Sequence, residues 1–380
     1  MSFVPPSAQQ TAPPSPQVRV MIVDDSLVIR GFISRALDSD PAFMVVATAS
    51  NGQIAIDTLR RTPADVVILD IEMPVMDGLM AIPKLKEIDP AVQIVMASTL
   101  TQRNADISIK ALSLGATDYL PKPSAREMAV PGEFQRALRE KVKELGAVAW
   151  RKNARQTPQK IAGTAMPAPV EKKKIVLRPM PLIKPDVIAI GSSTGGPQAL
   201  FEVIKSIGKD LPQPIVITQH MPPSFTTILA EHITRQCNVI CAEAKEGEVL
   251  RSGYFYIAPG DFHMLIAKKP EGPTVHLVKD PPENFCRPSV DPMLRSLVDV
   301  YGGRILTVIL TGMGQDGTKG GEAVVHAGGA VIAQDEATSV VWGMPGAVAL
   351  AGLCSAIYPI GEIGSVVRQL ATKGQLGGRA

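Results

Sequence analysis

Several large classes of protein are excluded by what this sequence does not contain. No stretch of about 18 consecutive apolar residues occurs in its 380 residues, so a membrane-spanning helix is not expected. Met1 to Gln17 is rich in Pro, Ser, Ala and Gln, with neither a basic start nor a continuous apolar core, and does not read as a signal peptide. The expectation is a cytoplasmic protein without membrane insertion, with residues 1–17 a disordered tail. Cysteines are few: Cys237, Cys241, Cys286 and Cys354 include no Cys-x-x-Cys pair, and no histidine stands at zinc-finger spacing from Cys237 and Cys241. They are expected to be reduced, structural thiols. Charge of one sign is also lacking, since 39 Lys and Arg against 36 Asp and Glu leave +3. A protein that holds nucleic acid by bulk electrostatics shows a concentrated basic face, so no nucleic-acid partner is expected. The run Lys172-Lys173-Lys174 lies in a linker-like stretch and reads as solvated charge.

What is present is globular material. Hydrophobic residues make up 45% and charged residues 20%, enough for two cores. At roughly 150 residues per domain, the length suggests two or three domains. From Val18, short apolar runs at 19–23, 43–47, 66–69, 94–97 and around Tyr119-Leu120 alternate with helical periodicity. That alternation predicts a parallel sheet with crossover helices. Gly132 to Ala147 reads as a closing amphipathic helix, with Phe134, Leu138, Val142 and Leu145 at helical spacing. A proline-punctuated linker is assigned to 148–184. A second α/β unit, 185–380, opens with the apolar run Val187 to Ile190. Arg251 to Ile266, with Gly253 and Pro259-Gly260, reads as β-hairpin material. The expected fold is therefore two doubly wound parallel-sheet domains, flavodoxin-like at 18–147 and Rossmann-like at 185–380.

Functional residues in such sheets gather at the carboxyl ends of the strands. In the first unit those ends carry Asp24-Asp25, Asp70, Ser98 and Lys122. Three carboxylates suit a hard cation such as Mg²⁺, which prefers oxygen ligands. One of them can act as nucleophile toward a phosphoryl group while the cation and a lysine neutralise the transferred charge. A lone Asp after a strand is usually a cap. Five such residues at successive strand ends read as a site. Here residues 18–147 resemble a response-regulator receiver domain. The resemblance implies Asp70 as phosphoacceptor from a chemotaxis histidine kinase. It also implies Mg²⁺ on Asp24, Asp25 and Asp70, and Ser98, Tyr119 and Lys122 as the supporting and switch positions.

In the second unit, Gly191-x-Ser193-x-Gly195 fits the nucleophile-elbow pattern between an apolar strand and a helix opened by Pro197. Of five histidines, His220 alone directly follows a strongly apolar strand, with His263 a minor rival. Asp316 follows the strand ending at Leu310 and is the best orienting carboxylate, with Asp291 and Asp261 as rivals. Each residue has a plainer reading: a phosphate cradle for Gly191 to Gly196, a buried structural histidine, a helix cap. Together they read as a serine hydrolase triad needing no cofactor.

The segments Gly191 to Gly196, Gln219-His220-Met221-Pro222, Arg287 to Asp291 and Gly312 to Gly317 resemble the chemotaxis protein-glutamate methylesterase family, known as CheB. Gln315 departs from that family's pattern beside Asp316. The resemblance implies methyl-accepting chemoreceptors as protein substrates, demethylation and deamidation by Ser193, and assistance from Thr194 and the Met313 backbone. It also implies a receiver that covers the hydrolase site until Asp70 is phosphorylated. Two other classes stay open at this point: a receiver-controlled transcription factor, disfavoured by the missing helix-turn-helix, and an esterase for a small molecule or lipid.

Overall fold

A computed structural model describes residues 17–99, 101–123, 132–156, 174–182 and 184–374. The first unit alternates β1 (Val18–Val23), α1 (Leu27–Asp38), β2 (Phe43–Ala49), α2 (Gly52–Leu59), β3 (Val66–Asp70), α3 (Gly78–Ile88), β4 (Gln93–Ser98), α4 (Gln102–Ser113) and β5 (Asp118–Pro121), and closes with α5 (Glu133–Gln156). The strands pair in parallel in the order β2-β1-β3-β4-β5. Val66 to Asp70 is buried throughout, as expected of a central parallel strand covered on both faces. Four helices start on side-chain caps: Ser26, Asn51, Asp77 and Thr101 each accept a backbone N–H from the first turn.

The second unit runs β6 (Val187–Ser192), α6 (Gly196–Ile207), β7 (Ile215–Gln219), α7 (Phe225–Cys237), β8 (Ile240–Glu243), β9 (Tyr254–Ile257), β10 (His263–Lys269), β11 (Gly272–Val278), α8 (Val290–Tyr301), β12 (Ile305–Ile309), α9 (Thr318–His326), β13 (Ala330–Gln334), α10 (Met344–Leu350), β14 (Ala356–Tyr358) and α11 (Ile360–Lys373). Seven strands form a parallel sheet in the order β14-β13-β12-β6-β7-β9-β8. The chain winds outward from β6 through β7 and later returns to β6 through β12. The β6/β12 boundary is thus a topological switch point, where a crevice opens at the carboxyl ends.

Two boundaries differ from the sequence reading. The closing helix does not stop at Ala147 but runs to Gln156, through the first part of the assigned linker. Val148 and Ala149 are buried and continue the apolar face of Leu138, Val142 and Leu145. Gly146 inside this helix allows close approach to β1: a Cβ there would sit 2.5 Å from the Val18 methyls. The end of the linker is also fastened, because Arg178 N–H donates to Cys354 O at 2.9 Å. The hairpin lies later than expected, as the antiparallel pair β10–β11, while Tyr254–Ile257 joins the parallel sheet between β7 and β8. Residues 1–16, nearly all of the expected tail, and residues 157–173 of the linker lie outside the described residues.

The two units touch along α4, α5, α6 and α7. The Tyr119 ring stacks on Phe225 at 4.7 Å. His232 Nε2 lies 2.8 Å from Asp106 Oδ1, and Gln198 Nε2 donates to Ala116 O at 3.0 Å. Met313, Val340 and Val341 pack with Phe134 and Leu138 of α5. Among the described residues, no helix is long and apolar enough to cross a membrane.

Candidate functional sites at two sheet edges

The first sheet edge gathers charge of both signs. Asp24 follows β1 and Asp70 ends β3, both buried, while Asp25 is exposed. Their carboxylate oxygens lie within 4.8 Å of one another. Lys122 Nζ reaches both buried members, 2.8 Å from Asp24 Oδ2 and 2.7 Å from Asp70 Oδ2. Asp24 Oδ2 is close to that ammonium yet accepts no well-directed hydrogen bond, which leaves a buried oxygen lone pair available to a cation. The donor set is all hard oxygen and fits Mg²⁺. Burial pushes the Asp70 carboxyl up to about 6, against the pull of Lys122 and with help from Asp24. Ser98 and Tyr119 are turned elsewhere: the Ser98 hydroxyl pairs with Ser108 Oγ at 3.2 Å, and Tyr119 is buried against Phe225.

The second sheet edge separates two adjacent serines. Ser192, the last residue of β6, points into the core and donates to Gln219 Oε1 at 2.6 Å. Ser193 is the first residue past the strand and is half-buried. Its backbone is fixed on both sides, with Ser193 N–H donating to Thr311 O and Gln219 Nε2 donating to Ser193 O, each at 3.0 Å. Gly195 turns the chain at φ 75° so that α6 begins at once behind the serine. The helix N-terminus then favours negative charge near Ser193. Gly312 packs on the same residue so tightly that a Cβ there would lie 2.9 Å from Ser193 Cβ. The Met313 backbone expected at the oxyanion follows directly.

His220 N–H donates to Ser192 O at 3.1 Å, which sets His220 beside Ser193 in register. The imidazole Nε2–H donates to Asp316 Oδ2 at 2.7 Å. Asp316 follows β12 and is 1% exposed. It is the most heavily bonded carboxylate of the site. Its Oδ1 accepts from Asn284 Nδ2, Ser289 Oγ, Asp291 N–H and Gly317 N–H, and its Oδ2 also accepts from Val290 N–H. Two of these donors are the first amides of α8, so the carboxylate sits on a helix N-terminus. Burial opposes its ionisation, yet His220 and these donors hold it below the usual carboxylate range. Burial likewise disfavours a charged His220, but the neighbouring Cys286 and Asp316 raise it to about 10.

The rivals have other roles. His263 is buried and structural, lying 3.2 Å from Pro281 O and accepting Ser289 N–H at 3.2 Å. Asp291 accepts Gly317 and Gly320 N–H at the start of α9. Asp261 pairs with Arg287 and Lys279. Thr194 makes no side-chain hydrogen bond to His220 among the described residues; its carbonyl accepts from Thr311 Oγ1. Gln315 is exposed, and its backbone carbonyl accepts from Thr318 N–H and Oγ1. No hydrogen bond joins Ser193 Oγ to His220 among the described residues. His220 Nδ1 instead lies 3.3 Å from Cys286 Sγ. Asn284 and Cys286 were not singled out for the site in the sequence, because neither lies at a strand end or in a helical stripe.

With this geometry in place, comparison with known proteins is specific. Residues 188–367 match the model of the CheB methylesterase family, and residues 20–130 that of the response regulator receiver domain. A protein-glutamate methylesterase/protein-glutamine glutaminase of group 2 operon from Rhodospirillum centenum is 59% identical over 93% of this chain and 94% of its own length. A protein-glutamate methylesterase/protein-glutamine glutaminase from Azospirillum brasilense is 57% identical over 94% of this chain and 93% of its own. Among solved structures, the Thermotoga maritima CheB methylesterase catalytic domain is 40% identical, covers 50% of this chain and all of its own, and has a TM-score of 0.48.

Proposed function

The chain belongs to the CheB methylesterase family, and on that premise we propose how its residues divide the work of a phosphorylation-activated protein-glutamate methylesterase and protein-glutamine glutaminase. Ser193 is the nucleophile, His220 the base and Asp316 the group that orients it. The observation that carries this reading is the convergence of three strand ends. Ser193, His220 and Asp316 follow β6, β7 and β12 around the switch point, with His220 already bonded to Asp316. Because Nε2 is committed to Asp316, Nδ1 is the nitrogen that takes the Ser193 proton. The serine attacks the γ-carbonyl of a methylated glutamate on a chemoreceptor, and the Met313 N–H and the α6 N-terminus stabilise the oxyanion. Methanol leaves, or ammonia from a glutamine, and water hydrolyses the acyl-enzyme. Thr194 supports the turn through its carbonyl. The hydrolase chemistry uses protein groups alone.

Asp70 accepts a phosphoryl group from a chemotaxis histidine kinase in the cytoplasm. Asp24, Asp25 and Asp70 would hold Mg²⁺, which would supply charge neutralisation for that transfer alongside the Lys122 ammonium. Ser98 turns from Ser108 to the new phosphoryl oxygens, which frees Tyr119 from its place against Phe225. The receiver then loosens from α6, α7 and the Met313 turn and uncovers the cleft. The test is methanol release from methylated chemoreceptor membranes, with and without a small-molecule phosphodonor plus Mg²⁺. Release should rise with the donor, vanish in Ser193→Ala and fail to rise in Asp70→Ala. Retained release in Ser193→Ala would sink the nucleophile assignment.

A further inference from the structure

The segment Asn284-Phe285-Cys286 belongs to neither the receiver nor the triad, yet it touches the receiver's Arg136 and the triad's His220 and Asp316. Its backbone turns through two consecutive left-handed residues, Asn284 at φ 53° and Phe285 at φ 61°. Reciprocal hydrogen bonds between Glu283 and Cys286 close the turn at 3.2 and 3.0 Å. The three side chains leave it in three directions. Asn284 points inward and donates to both Asp316 Oδ1 and Asp291 Oδ2. Phe285 points outward, 78% exposed, and the Arg136 guanidinium of the receiver's α5 lies 4.2 Å over its ring. Cys286, half-buried, places its sulfur 3.3 Å from His220 Nδ1. The other three cysteines are buried.

That sulfur takes the one imidazole nitrogen the proposed mechanism needs. Whether it donates or accepts, a bond to Nδ1 turns the base away from Ser193. We propose that Cys286 is a positioning residue that holds His220 out of line with Ser193 while the receiver's Arg136 pins Phe285. Docking of the receiver then acts on the base through the 283–286 turn as well as by covering the cleft. When the receiver leaves, Phe285 loses its cation, the turn shifts on its two left-handed residues, and Nδ1 passes from sulfur to the serine hydroxyl. This inference rests on the esterase reading above, and it adds a second control to simple occlusion.

The experiment uses the full chain and methanol release from methylated chemoreceptor membranes, measured without and with phosphodonor plus Mg²⁺. Cys286→Ala should raise the unphosphorylated kcat about fivefold, the worth of one modest hydrogen bond, with KM little changed. Cys286→Ser keeps a group that can bond Nδ1 and should restore the low unphosphorylated rate. A merely structural role for the cysteine would not separate the two variants in this way. Arg136→Ala, remote from Ser193, should raise the unphosphorylated rate in the same direction, and combining it with Cys286→Ala should give less than the product of the two effects. A Cys286→Ala chain that responds to the phosphodonor but has the wild-type unphosphorylated kcat overturns the positioning role and leaves the esterase reading intact. Absence of methanol release from the phosphorylated wild type overturns both.

Discussion

Asp316→Asn is the substitution that asks most of the hydrolase site. The native carboxylate is a pure acceptor, with four donors on Oδ1 and two on Oδ2. An amide must place its own NH₂ at one of those positions. Set at Oδ2, it opposes Val290 N–H and forces His220 to present Nε2 as an acceptor. The proton then moves to Nδ1, where it blocks uptake of the serine proton. Set at Oδ1, it faces four donors. A wrong-tautomer histidine costs on the order of 10⁴-fold in kcat. Breaking one side of a buried charged network costs about 3–5 kcal/mol. For a unit of this size that lowers the unfolding midpoint by roughly 10 °C. Methanol release by the phosphorylated chain, measured below the lowered midpoint, reports the first quantity, and thermal unfolding reports the second. A variant keeping more than about a tenth of the wild-type kcat would refute the role given to the carboxylate.

Three further outcomes follow from the same geometry. Ser192→Ala leaves Gln219 Oε1 without its buried donor and should cost about 1–3 kcal/mol of stability, while hydrolysis at 25 °C persists; loss of methanol release comparable to that in Ser193→Ala would show that the two serines are misassigned. Asp106→Ala removes the hydrogen bond with His232 across the interface and should raise the unphosphorylated rate about two- to fivefold, the worth of one modest hydrogen bond. In the resting arrangement, with Cys286 on Nδ1 and Asp316 on Nε2, the His220 pKa is raised from 6.5 to about 10, and the imidazole must give up its Nδ1 proton before it can act as the base; its contribution to stability is fully present below pH 6.5 and lost as pH rises through about 10. The gap in unfolding midpoint between wild type and His220→Gln should therefore narrow between those pH values, and a constant gap would contradict the raised pKa.

The strand ends were legible because each apolar run stops at a residue whose chemistry does not belong in a core. Asp24, Asp70, Ser193, His220 and Asp316 all stand where a buried parallel strand meets the crevice, and both sheets are parallel as the alternation of runs implied. The end of α5 was not legible. Val148 and Ala149 continue its buried face, but Ala, Arg and Lys in the following residues resemble linker composition as much as helix. The hairpin was misplaced because Pro259-Gly260 is a strong turn signal, whereas the turn that joins β10 to β11 is Pro270-Glu271, between the paired Lys269 and Gly272. Cys286 reads as one of four structural thiols in the sequence because its contact with His220, 66 residues away in the chain, forms only after β7 and the 283–286 turn meet. Ser98 ends β4 and Tyr119 lies in β5, but their partners in this structure, Ser108 and Phe225, are set by tertiary packing and could not be read from the runs.

The fastened end of the linker bears on how such a switch scales. Arg178 ties the stretch before β6 to Cys354, while α5 runs on from the receiver to Gln156. The receiver and the hydrolase therefore meet as parts of one molecule, and their encounter is first order. Diluting the protein does not separate them. A cell that makes twice as much of this chain doubles the number of receiver–hydrolase pairs without moving the setting of any one.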